Sequence, residues 1–179
     1  LVRSGNWDER TNFMGTGLAK KTLGVVGAGN IGSETIKLSN PFFNNILAYD
    51  PFKSQNQLSQ IGATKVDLKE LANNSDFIVI LCNLDDNTKG MINSDFFSNM
   101  KKSAYIFNLS RGPVINEIHL ENAIESKIIA GAGLDVTEEE PLSTQSRLLK
   151  FENVIITPHA LCWTDECFND IAKEAINSI

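Results

Sequence analysis

The 179-residue sequence is poor in cysteine, histidine and positive charge. Its three cysteines, Cys82, Cys162 and Cys167, are odd in number and form no C-x-x-C pair. That argues against a disulfide framework or a zinc site, and a reducing cytoplasm is the expected setting. Lys and Arg number 16 against 22 Asp and Glu, for a formal charge of −6. A nucleic-acid surface needs the opposite sign, so no nucleic-acid partner is expected. No apolar run approaches the roughly 20 residues that span a bilayer. The longest notable one, Phe77 to Cys82, is strand-sized. The opening LVRSGNWDER has no apolar signal core, so no membrane role is expected. Internal repeats and low-complexity linkers are also missing.

What is present is an alternation of strands and helices. Apolar, β-branched segments at 21–27, 44–50, 76–82, 103–110, 128–136 and 153–158 predict strands. Residues 30–39, 67–75, 93–100, 116–126 and 164 onward predict helices, with Pro41 ending the first and Asp67 capping the second. Strands apolar on both faces, alternating with helices, predict an α/β fold: a doubly wound parallel sheet with helices on both faces. Residues 136–152 form the longest irregular stretch and read as a functional loop.

Between the first strand and first helix lies Gly27-Ala28-Gly29-Asn30-Ile31-Gly32, a G-x-G-x-x-G pattern. Alone it is weak. Its position is what gives it weight, because a dinucleotide's phosphates sit at this turn on the positive end of a helix. Gly27 permits the tight turn, Gly29 leaves room for a pyrophosphate, and Gly32 lets helix and strand pack closely. Asp50 ends the second strand eighteen residues beyond Gly32. There it can accept hydrogen bonds from a ribose and repel the additional phosphate of NADP, so NAD is the expected cofactor. The alternative for Asp50 is a turn residue ahead of Pro51.

Three further segments end at the same strand edge: FNLSRGPVINE (107–117), GAGLDVTEEEPL (131–142) and ITPHALCWT (156–164). They bring a cation, carboxylates and an imidazole to the edge where open α/β sheets place ligands. His159 can give or take a hydroxyl proton, Glu140 can orient it, and Arg111 can hold a carboxylate or polarise a carbonyl. Asp135 can meet a nicotinamide carboxamide. Taken singly, each has a plainer reading: a solvated arginine, one glutamate of the run Glu138–Glu140, a structural histidine. His119 reads as helix surface, and Cys162 as a pocket residue with no base to activate it.

The ordered set LAKKTLGVVGAGNIG, AYDPF, NTKGMIN, NLSRGPVINE, AGLDVTEEEPL and ITPHA resembles the NAD-binding domain of the D-isomer-specific 2-hydroxyacid dehydrogenases over nearly the whole chain. The resemblance implies that Arg111, Glu140 and His159 are catalytic. It places Asp135 at the nicotinamide, Asn30 and Ile31 under the pyrophosphate and Asp50 at the adenosine ribose, with Cys82, Asn83 and Ser110 bordering the cofactor. It also implies a small 2-hydroxy or 2-oxo acid substrate and a homodimer. The sequence departs from the family where ILCNLDDNT (80–88) puts Leu81 and Asn83 at positions usually held by His and Pro, and where ALCWT follows His159. With Leu1 first and no helix stop at the end, residues 1–20 are expected to be the crossover from a substrate domain. Residues 21–179 are expected to be the NAD-binding domain of a longer chain. Some relatives act as corepressors with NAD as a structural ligand, which leaves a non-catalytic binding module as the second reading.

Overall fold

The computed structural model describes residues 1–178. Seven strands form one sheet: β1 Thr22–Val26, β2 Asn45–Tyr49, β3 Thr64–Lys65, β4 Phe77–Ile80, β5 Tyr105–Asn108, β6 Gly131–Leu134 and β7 Val154–Ile156. Every pairing is parallel, in the order β3-β2-β1-β4-β5-β6-β7. The order reverses between β1 and β4, so a crevice opens at the carboxyl ends of those strands. Five α-helices lie between them, α1 Asn30–Ser39, α2 Gln55–Gln60, α3 Leu68–Asn74, α4 Ser94–Asn99 and α5 Glu117–Glu125, and α6 Asp165–Asn177 follows β7. No helix among the described residues is long and apolar enough to cross a membrane.

Alternation along the strands divides the core in two. Leu23, Val25, Ile46, Ala48 and Val79 pack with Ile36 of α1 and Leu58 of α2. Val26, Ile78, Ile80, Ile106 and Leu134 pack with Leu71, Phe97, Leu120 and Ile124 of α3, α4 and α5. The layering on the first face is incomplete, because Tyr105 and Ile155 of β5 and β7 stay exposed. No residue of α6 is buried.

The expected elements are all present, with shorter strands. The predicted strand at 128–136 narrows to Gly131–Leu134. Among the strands and α-helices, two had escaped the pattern, α2 and β3. Helix α2 is six residues with one buried side chain, and β3 is two residues, both too short for a periodicity to show. His119 is not plain surface. Its Nδ1 accepts the Ser94 backbone N–H at 3.2 Å and ties α5 to the first turn of α4.

At the opposite, amino edge of the sheet, Asp76 joins three elements. Its carboxylate accepts the Thr22 N–H at 3.0 Å and lies 3.3 Å from Lys21 and 3.2 Å from Lys101. Burial pushes its pKa up, but the Thr22 N–H and the two lysines outweigh burial and hold it below 3.8. A depressed carboxylate contributes stability above its unfolded pKa and loses it as pH falls through the folded value. Asp76→Asn is therefore expected to lose about 1–3 kcal/mol at pH 7. The gap to wild type should close as pH drops below 3.8. Urea unfolding at several pH values checks it; a gap unchanged at low pH would contradict the assignment.

Candidate functional site

The glycine turn has the geometry that a phosphate cradle requires. Gly27 has φ +92°, a conformation L side chains avoid, and a Cβ there would lie 2.6 Å from the Cys82 backbone nitrogen. A Cβ on Gly32 would overlap the Gly27 carbonyl oxygen. Gly29 differs: a Cβ there meets nothing within 4 Å, so the space above it is open. Gly29 is also the N-cap of α1, with no side chain bonded to the helix's first N–H groups. These free donors and the helix dipole suit an anion. Asn30 and Ile31 open the helix and are exposed beside that space.

Asp50 is buried at the end of β2 and does two jobs. Its Oδ2 accepts the Ala28 N–H and its Oδ1 the Phe52 N–H, both at 2.8 Å. It thus pins the glycine turn to the second strand, and each oxygen keeps a lone pair for a further donor. The turn-residue alternative and the ribose reading are compatible. A cleft of about 600 Å³ joins these groups, lined by Gly27, Gly29, Asp50, Phe52, Cys82 and Asn83 among others. Burial first, then the charges of Asp85 and Asp50, push the Cys82 thiol up to about 11, so it is a neutral wall. The loop beyond it is self-braced: Thr88 Oγ1 donates to the Asn83 carbonyl at 2.7 Å. A second cleft, about 540 Å³, lies at the amino edge around Asn40, Asn45 and Lys101, away from all of these groups.

The second half of the site lies at the carboxyl ends of β5, β6 and β7. Glu140 Oε2 is 2.8 Å from His159 Nδ1. An ionised carboxylate only accepts, so Nδ1 carries the hydrogen and Nε2 is the nitrogen left for a substrate. The His159 hydrogen bond is the largest cause holding the Glu140 pKa below its usual value. Burial opposes it, and the Thr137 N–H and the charges of His159 and Arg111 add to it. Arg111 is thus electrostatically within reach of the pair. Its guanidinium donates to the Ser110 carbonyl at 2.7 Å, and its own carbonyl accepts from Asn108 Nδ2 at 3.0 Å.

His159 adopts φ +52°, an uncommon backbone for a non-glycine residue. Asp135 accounts for it. The Asp135 carbonyl accepts the His159 N–H at 2.8 Å. Its carboxylate accepts Thr157 Oγ1 at 2.5 Å, the Ala160 N–H at 3.0 Å and the Leu161 N–H at 3.3 Å. Burial raises its pKa, but these donors and the His159 charge more than reverse that and leave it lowered. Asp135 is therefore first an organiser of the His159 turn, with Oδ2 the less occupied oxygen.

Of the expected cofactor residues, Ser110 is tied into its own loop. Its hydroxyl donates to Asn108 Oδ1 at 3.1 Å inside its own loop. Asn108 and Thr157 are organisers that the motif reading did not single out; their signal was position, next to Arg111 and His159. No group of three or more His, Cys, Asp or Glu among the described residues could hold a metal ion.

Comparison with known proteins identifies the family. Residues 1–160 match the family described as D-isomer specific 2-hydroxyacid dehydrogenase, NAD binding domain. The chain is 44% identical over 178 residues to a Synechocystis sp. D-3-phosphoglycerate dehydrogenase, covering 99% of this chain and 32% of that protein. It is 37% identical over 181 residues to a human glyoxylate reductase/hydroxypyruvate reductase, covering 99% of this chain and 55% of the relative. Among solved structures, the NAD complex of a Lactobacillus delbrueckii ssp. bulgaricus D-isomer specific 2-hydroxyacid dehydrogenase superposes with TM-score 0.84 at 25% identity, covering 94% of this chain and 54% of that one. An Aquifex aeolicus D-lactate dehydrogenase with NAD and lactic acid gives TM-score 0.82 at 30% identity, covering 98% and 59%. The chain thus spans 32% to 59% of the length of these relatives.

Proposed function

The chain belongs to the D-isomer specific 2-hydroxyacid dehydrogenase family through its NAD-binding domain, and on that premise we propose that the full-length protein is an NAD-dependent oxidoreductase interconverting a small 2-hydroxy acid and its 2-oxo acid. The observation that carries the reading is the His159–Glu140 contact at 2.8 Å, at the same sheet edge as Arg111 and the open glycine turn. The glycine turn and Asp50 would hold NAD(H), which would supply hydride donation or acceptance. Arg111 holds the substrate carboxylate and polarises the carbonyl oxygen. His159 Nε2 gives that oxygen its proton in reduction and removes it in oxidation. Glu140 holds the ring by Nδ1 and balances the imidazolium charge. Cys82 and Asn83 border the adenosine half, and Ser110 acts through the shape of its loop. We propose a cytoplasmic homodimer for the full-length protein; sedimentation at several concentrations checks its assembly.

Asp50 sets the cofactor choice. Its ionised carboxylate faces the cleft where a 2′-phosphate would sit, so NADH is expected to bind at least roughly tenfold tighter than NADPH, about 1.4 kcal/mol. Calorimetry checks it. Equal affinity, or a preference for NADPH, would contradict the role given to Asp50.

A further inference from the structure

We infer that the acidic stripe Glu117, Glu121 and Glu125 on α5 is the platform that positions the Glu140 loop, and that Glu117 and Arg147 are its positioning residues. The inference rests on the proposed function only for the role of Glu140; the platform itself is read from contacts.

Residues four apart lie on one face of a helix, so these three carboxylates form a row. Each is engaged by the segment that follows β6. At the near end the bonding is reciprocal: the Glu138 N–H donates to Glu117 Oε2 at 3.0 Å, and the Glu117 N–H donates to Glu138 Oε1 at 3.2 Å. At the far end Arg147 reaches both remaining carboxylates. Nη1 lies 2.9 Å from Glu121 and Nη2 2.8 Å from Glu125. Glu121 is buried, so its partner satisfies a charge that would otherwise be stranded. Leu148, the next residue, is fully buried and fixes that end by packing.

Glu140 lies between the two anchors. Its Oε1 accepts the Thr137 N–H at 3.2 Å, one residue before the near anchor, and its Oε2 meets His159. The same near anchor is in contact with the Arg111 loop. A Cβ on Gly112 would overlap the Thr137 carbonyl and lie 2.7 Å from the Glu138 nitrogen. Helix α5 begins five residues after Gly112, so one helix carries both loops in fixed relation. Catalytic groups must be held within about half an ångström of their working geometry, and they depend on such support.

Two variants in the full-length protein test it. Glu117→Ala removes the acceptor, while Glu117→Gln keeps one. Arg147→Gln removes the cation that bridges Glu121 and Glu125 but keeps an amide donor for the buried Glu121, and the arginine side chain is 41% exposed, so the fold should survive at reduced stability. Glu117→Ala and Arg147→Gln are each expected to lower kcat about tenfold with little change in NADH affinity, and Glu117→Gln to stay near wild type. Two readouts are independent of turnover. Hydrogen exchange at the Thr137 and Glu138 amides should rise at least tenfold in Glu117→Ala and Arg147→Gln. The Glu140 carboxyl, followed by 13C NMR, should move up from its depressed value towards that of a free glutamate. If Glu117→Ala fails to fold, Arg147→Gln carries the test. Unchanged exchange and an unmoved Glu140 titration in Arg147→Gln would overturn the platform. If the wild type itself reduces no 2-oxo acid, the functional reading fails while exchange and titration still decide the platform.

Discussion

Replacing His159 by Gln in the full-length protein is expected to lower kcat by roughly 10²–10⁴-fold. The glutamine amide can fill the ring's space and donate to Glu140, so the loop should keep its shape. It cannot carry a proton to or from Nε2's position. NADH affinity should hold, because the cradle is built by β1, α1 and Asp50, with no contact from His159. Steady-state rates beside calorimetric NADH binding check this pairing. A variant with near-normal turnover would remove His159 from proton transfer. A variant that also lost NADH would show that His159 acts on the cofactor site instead. Glu140 titrates below its usual value, so the pair should remain intact down through pH 5. An early acid loss of the contact would contradict the direction of that shift.

The second large effect separates two neighbouring glycines. At Gly29 the backbone has φ −65° and a Cβ meets nothing within 4 Å. Gly29→Val should therefore bring no backbone overlap, and its stability loss should be limited to about 1 kcal/mol for replacing a glycine N-cap. The side chain would occupy the open space over the N-terminus of α1, and NADH binding should fall by at least roughly a hundredfold, about 2.7 kcal/mol. At Gly32 a Cβ would overlap the Gly27 carbonyl oxygen. Gly32→Ala should cost about 1–3 kcal/mol of stability, and NADH affinity should fall with it. Thermal melts with and without NADH distinguish the two. NADH protecting Gly29→Val as well as wild type would mean that the pyrophosphate lies elsewhere.

Much of this was legible because the signals were local. The β1–turn–α1 unit follows from a strand-like run, three glycines and a helix within eighteen residues. Asp50 was legible by its distance from Gly32. Arg111, Glu140 and His159 each follow a strand, and parallel strands deliver their carboxyl ends to one edge. What escaped was nonlocal or short. Helix α2 had a signal, since Ser54 and Gln57 form a capping box, but one buried leucine gives no period. The Asp135 carboxylate meets Thr157 and Ala160 only because β6 and β7 pair, so its organising role needed the sheet. Ser110 turns its hydroxyl to Asn108 through a loop conformation that no spacing encodes. The acidic row on α5 stands at i, i+4, i+8 but was not singled out in the sequence. Its partner Arg147 lies 26 residues from Glu121, and only the folded loop brings them together.

On this proposal the open glycine turn and the Arg111–Glu140–His159 edge form one hydride-transfer site. Its most direct measurement is NADH oxidation by the full-length protein with glyoxylate, hydroxypyruvate and pyruvate, followed at the nicotinamide absorbance alongside calorimetric NADH binding. The expected result is turnover with at least one of them, on the order of 1–10³ s⁻¹, producing the D-hydroxy acid where the product is chiral. That turnover should be lost in His159→Gln with NADH binding intact. Tight NADH binding with no turnover on any 2-oxo acid would contradict the claim and leave a binding module.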